Sequence, residues 1–148
     1  MFGKKSWIIS NRFKKVENQK KFSSYIGKTV YSKSGEYVGK IVDLLFKNDR
    51  FSGIIVDRKN VFIGKEFFGS ESEKAIMLKI EPITNLIGKK VFDTVGKKVG
   101  NVSDIKRKAN SNNYTNLMVK KAIYRKAFAV PKKDINIAKK NIILKKEY

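Results

Sequence analysis

The sequence contains no cysteine and no histidine, and only two prolines, one tryptophan and 13 acidic residues among 148. Without cysteine there is no disulfide framework, no thiolate nucleophile and no thiol-ligated zinc. Without histidine, the usual general base near neutral pH and the commonest metal ligand are both missing. A carboxylate or lysine enzyme remains open in principle, but the expectation is a binding module with no catalysis and no cofactor. No apolar run approaches the roughly 18 residues of a membrane-spanning helix. Trp7-Ile8-Ile9 is too short to be the apolar core of a signal peptide. The expected location is the cytoplasm, with peripheral membrane contact as an option.

What the chain has is positive charge and enough apolar residues, 41%, to build a core. Thirty-four Lys and Arg give a net charge of +21. Residues 1–24 carry +6, residues 25–82 only +2, and residues 83–148 carry +13. Such a field attracts polyanions, whether RNA, DNA, an acidic protein or an anionic membrane. A compositional source competes with that reading, because Lys, Ile and Asn supply 58 of the 148 residues, as an AT-rich genome would. Only five of the basic residues are Arg, which argues against base-specific reading.

Shifted by 61 residues, the sequence matches itself. Ile26-Gly27-Lys28-Thr29-Val30-Tyr31 lies over Ile87-Gly88-Lys89-Lys90-Val91-Phe92. Gly35 through Leu44 likewise lies over Gly96 through Ile105. Eight of the 21 positions from 26 to 46 are identical without a gap. A duplicated unit of about 60 residues follows, with a basic arm over 1–24, a first unit over 25–82 and a second over 83–148.

Each unit reads as short strands. In the first they are Lys28–Tyr31, Val38–Lys47, Phe51–Asp57, Val61–Ile63 and Ala75–Lys79, with turns at Ser32–Gly35 and Asn48–Arg50. In the second, 110–113 is the matching turn, and Pro131 opens a single helical turn over 132–134. The expected class is all-β, with two small antiparallel barrels or curled sheets. Apolar residues shared at 38, 41 and 44, and again at 99, 102 and 105, break two-residue alternation. A strand can bury all three only by bulging or coiling. Asp43 and Asp104 sit at equivalent places there, as a bulge or turn hydrogen bond or, less simply, a catalytic carboxylate.

The pattern Ile-Gly-Lys-x-Val-Tyr/Phe, then Gly-x-x-Val-Gly-x-Ile/Val-x-Asp, then a strand such as Ser52–Val56, resembles the PRC-barrel domain. Ala127 through Ile135 is similar to that family's closing strand and turn. The resemblance covers about residues 25–148, twice over. It departs at Ile63-Gly64-Lys65-Glu66, where the second unit has Val130-Pro131. Domains of this family are known as binding modules in a ribosome maturation factor, in the H subunit of photosynthetic reaction centres and in archaeal cell-division proteins. The resemblance therefore implies an adaptor, with archaeal division as one setting, and does not identify the partner.

Three candidate surfaces follow. Val42, Leu45 and Phe46 are replaced in the second unit by Ser103, Lys106 and Arg107, so the fold does not require apolar residues there. They are either a protein-docking surface or a contact with the sister barrel or the N-terminal arm. Lys89, Lys90, Lys97, Lys98, Lys106, Arg107, Lys108, Lys120, Lys121, Arg125 and Lys126 are the candidate polyanion-binding set. Tyr114 and Tyr124 lie among them, either to stack on bases or to fill the barrel. Finally, Trp7, Ile8, Ile9 and Phe13, in a stretch where Ile9, Phe13 and Val16 recur at helical spacing, are either a membrane-surface helix or a solvated tail. The functional expectation is a protein–protein adaptor, and the alternative is an RNA- or ribosome-associated factor.

Overall fold

The computed structural model describes residues 20–109 and 111–148, so the arm residues Trp7, Ile8, Ile9 and Phe13 lie outside the described residues. In the first unit the strands are β1 (Thr29–Tyr31), β2 (Tyr37–Lys47), β3 (Arg50–Val56), β4 (Val61–Gly64), β5 (Phe68–Glu71) and β6 (Ala75–Leu78). The second repeats them as β7 (Lys90–Phe92), β8 (Lys98–Arg107), β9 (Tyr114–Lys120), β10 (Phe128–Pro131), β11 (Ile135–Ala138) and β12 (Ile142–Leu144). Each unit is one curled six-stranded sheet, ordered β4-β3-β2-β1-β6-β5 and β10-β9-β8-β7-β12-β11. A three-residue turn, Lys65–Phe67 or Lys132–Asp134, joins the two edge strands of each sheet.

Two features differ from the sequence expectation. The sheets are not wholly antiparallel, because β1 runs parallel to β6 and β7 parallel to β12. A strand also forms at Phe68–Glu71, where glycine and polar residues had given no strand signal. By contrast, the departure at Ile63-Gly64 is accommodated: Ile54 faces Ile63 as Leu117 faces Val130, and both edge strands end in the same turn.

The long strand bulges twice in each unit. Between the pairs Val30–Gly39 and Tyr31–Tyr37, Val38 is an extra residue, and Val99 is its counterpart. Val42 and Ser103 are extra in the same way opposite β3 and β9. These insertions let Val38 and Ile41 both point inward, as Val99 and Val102 do. Asp43 and Asp104 stabilise the second bulge, each carboxylate accepting from the next residue's N–H at 2.8 Å. Gly39 lies in the bend, where an added Cβ would meet the Val56 side chain, and at Gly100 it would meet the Lys120 carbonyl.

The two cores are built on the same scheme. Val30, Val38, Ile41, Ile54, Val56, Ile63, Ile76 and Leu78 are buried in the first, and Val91, Val99, Val102, Leu117, Val119, Val130, Ile142 and Leu144 in the second. The first turn of each unit is anchored by a buried side chain. Ser32 Oγ accepts from the Glu36 N–H, and Asp93 Oδ1 accepts from the N–H groups of Val95 and Lys97. Truncating Leu117, which is fully buried, to alanine is expected to cost about 2–5 kcal/mol, measured by denaturant unfolding.

The lysine of the repeated Ile-Gly-Lys is used differently in each unit. Lys28, only 8% exposed, pairs with Glu71 at 2.7 Å and donates to the Ser72 carbonyl. Burial opposes ionisation of Glu71, but hydrogen bonds from Lys28 and Lys20 and the fields of both ammonium groups outweigh it. Its carboxyl is therefore held below the usual 4.5. The pair stabilises the fold above that pH and is lost as acid protonates Glu71 below it. Glu71→Gln is expected to cost roughly 1–3 kcal/mol at neutral pH, through the buried Lys28 left without a counter-ion. The loss should shrink on acidification, as seen in denaturation midpoints across pH.

Candidate docking face and cationic surfaces

In β2, Ile41 is buried and Leu44 packs against the core, so the extra residue at the bulge turns Val42 and Asp43 outward, with Leu45 following. On the neighbouring strands Ile54, Val56 and Ile63 point inward, which leaves Ile55 and Phe62 facing out. Asp43 is opposite Ile55, and Ile55 is opposite Phe62. Val42, Leu45, Ile55 and Phe62 thus share one outward, mainly apolar face across β2, β3 and the edge strand β4, with the exposed Asp43 among them. Gly53 makes room for it, since a Cβ there would lie 2.7 Å from the Phe62 ring. The equivalent residues of the second unit are Ser103, Lys106, Met118 and Ala129.

Phe46 has a different setting. Its ring centre is 4.9 Å from Phe22 and 5.9 Å from Phe51, and Phe51 in turn meets Tyr25 and Phe68. These rings line one end of the first barrel, so Phe46 touches the segment leading in from the arm. The three residues grouped by sequence are therefore split, with Val42 and Leu45 on the outer face and Phe46 in the aromatic row. Ile55 and Phe62 are not among the residues that comparison of the two units singles out, although alternation of Ile54, Ile55 and Val56 in a strand places Ile55 outside.

The structure also divides the cations. Lys89 is turned into the junction between the units, where it pairs with Glu36 at 3.1 Å and donates to the Lys139 carbonyl. Nearby, Asn85 Nδ2 donates to the Tyr37 carbonyl at 3.3 Å, and Lys59 donates to the carbonyls of Thr84 and Ile87. Lys106, Arg107 and Lys108 are exposed at the far end of β8. Lys97, Lys98 and Lys121 surround a depression of about 170 Å³ at its near end. Lys120, half-buried, and the exposed Arg125 and Lys126 belong to that end through β9 and the loop that follows, whereas exposed Lys90 is on β7. Ten residues of strand separate the two groups by up to ~30 Å. Tyr114 is half-buried against the second core, where burial pushes its phenol up, whereas Tyr124 is 85% exposed.

The two curled sheets of equal topology, with paired bulges and a glycine in each, correspond to two matches of the PRC-barrel domain, over residues 17–76 and 79–147. The chain belongs to the PRC-barrel family. No curated protein matches the chain. PRC-barrel domains commonly serve as binding modules. In this tandem pair the first barrel presents an apolar outer face, and the same face of the second carries Ser103 and Lys106 in place of Val42 and Leu45.

Proposed function

We propose that the protein is a non-catalytic adaptor whose first PRC barrel docks a protein partner on the face formed by Val42, Leu45, Ile55 and Phe62. The observation that carries this reading is the contrast between the two copies. Three of these four positions are polar, cationic or small in the second barrel (Ser103, Lys106 and Ala129) and the fourth keeps an apolar Met118, so folding does not demand exposed apolar residues at 42, 45 and 62. Val42 is 48% and Phe62 49% exposed in a chain that carries 32% charged residues. A mainly apolar face beside an edge strand suits a partner that brings its own apolar residues, or adds a strand to β4. A scaffold of the archaeal cell-division type, cytoplasmic and peripheral at the membrane, is the finer form of this proposal. The experiment is a binding assay with candidate division proteins at high salt, which should show saturable binding that Leu45→Lys removes.

A second reading, an RNA- or ribosome-associated factor, is favoured by the absence of any acidic residue between Asp104 and Asp134. Binding of that kind should weaken steeply with salt through counterion release. Val42→Lys and Leu45→Lys, which add charge, should leave it intact or strengthen it.

A further inference from the structure

The two barrels differ in the loop that joins the third and fourth strands. In the first barrel residues 57–60 make this connection, and Lys59 ties its tip to the linker between the units. In the second, residues 121–127 take its place. The Arg125 N–H donates to the Ala122 carbonyl at 3.0 Å, which puts Ile123 and Tyr124 at the two corners of a β-turn. Glycine, proline, asparagine and aspartate usually occupy such corners. Here Ile123 is 97% and Tyr124 85% exposed, more than any other large apolar residue among the described residues.

The surroundings of this tip are cationic. Lys121, Arg125 and Lys126 are exposed beside it, and Arg125 lies 5.9 Å from the centre of the Tyr124 ring. At its foot Lys97 and Lys98 share the depression with Lys121.

We infer that the Ala122–Arg125 turn is a membrane-insertion tip that seats Ile123 and Tyr124 at the headgroup boundary of an anionic bilayer. An isoleucine has no face for stacking on a base and gains nothing from a phosphate, but it gains by leaving water for the acyl boundary. Tyrosine, apolar in body and polar at its tip, is suited to the same depth. The flanking cations meet a dense sheet of anionic headgroups. Apolar corners flanked by positive charge thus match the two chemistries that such a surface offers together. The inference does not rest on the docking face of the first barrel, and either can fail without the other.

The chain has no cysteine, so Ile123→Cys in the full-length protein accepts a single environment-sensitive nitrobenzoxadiazole label. Titrated with mixed phosphatidylserine–phosphatidylcholine vesicles, the label should shift to the blue and be quenched by spin-labelled lipid. A label at Ser70→Cys, on an exposed position of β5, should remain unshifted. Tyr124→Asp in the labelled chain should weaken the half-maximal lipid concentration by about tenfold. The basic arm is present throughout, so its own binding contributes equally to every variant. Circular dichroism of each variant should match the parent, since the substituted side chains are exposed. An unshifted label at position 123 on anionic vesicles would overturn the inference. So would an equal response to pure phosphatidylcholine, or a shift with structured RNA in the absence of one with vesicles.

Discussion

Gly100→Ala is expected to destabilise the second barrel by about 2–4 kcal/mol, the combined cost of overpacking and a disfavoured backbone conformation. The residue has φ +157° and lies against β9, where a new methyl group would run into the Lys120 carbonyl. A backbone oxygen held in the sheet cannot move aside as a flexible side chain can. Gly96, one turn earlier, provides the comparison. Its φ is +81°, but nothing lies within 4 Å of an added Cβ. Gly96→Ala should therefore cost only about 1–2 kcal/mol, from the left-handed backbone alone. Urea midpoints measured by circular dichroism would separate the two, and equal losses would mean that β8 and β9 do not cross as closely as described. A unit of about 60 residues has a small margin, so the larger loss should leave the second barrel partly unfolded at physiological temperature.

The second large effect concerns binding. Val42→Lys with Leu45→Lys should abolish partner binding, a loss on the order of 100-fold or more for two central apolar contacts. The melting temperature should stay close to that of the parent, because both side chains already face solvent and the second barrel carries a lysine at one of these positions. Phe46→Lys is a poorer probe. It breaks ring contacts with Phe22 and Phe51, so its effect mixes stability with docking.

Much of the fold was legible in the sequence, for identifiable reasons. The 61-residue repeat preserved glycines at bends and apolar residues at core positions, and both kinds of constraint act locally. Spacing of three between Val38, Ile41 and Leu44 announced the bulges, because no regular strand buries such a set. The parallel pairing of β1 with β6 was not legible. It joins segments more than 40 residues apart, and strands of three or four residues are too short to carry a parallel signature. The differing roles of Lys28 and Lys89 were hidden for the same reason, since Glu71 and Glu36 reach them from 43 and 53 residues away.

The candidate surfaces were legible only in part. Comparing the two copies picked out Val42 and Leu45, because divergence at equivalent positions does not depend on knowing the fold. Phe62 joins them only through cross-strand register, which places it opposite Ile55 and over Gly53. The cations read as one set along the chain, but β8 carries them to opposite ends of the barrel and the junction takes up Lys89. Tyr114 and Tyr124 looked alike in sequence, yet one is packed on the core and the other stands at a loop tip.

The most direct test of the docking face is photo-crosslinking in cells, with benzoylphenylalanine placed at position 62 in one protein and at position 129 in another. These are equivalent places on the outer faces of the two barrels. A docking face on the first barrel predicts one discrete protein adduct from position 62, none from 129, and loss of the adduct when Val42→Lys and Leu45→Lys are added. Absence of a protein adduct at position 62, or equal adducts from both positions, would contradict it.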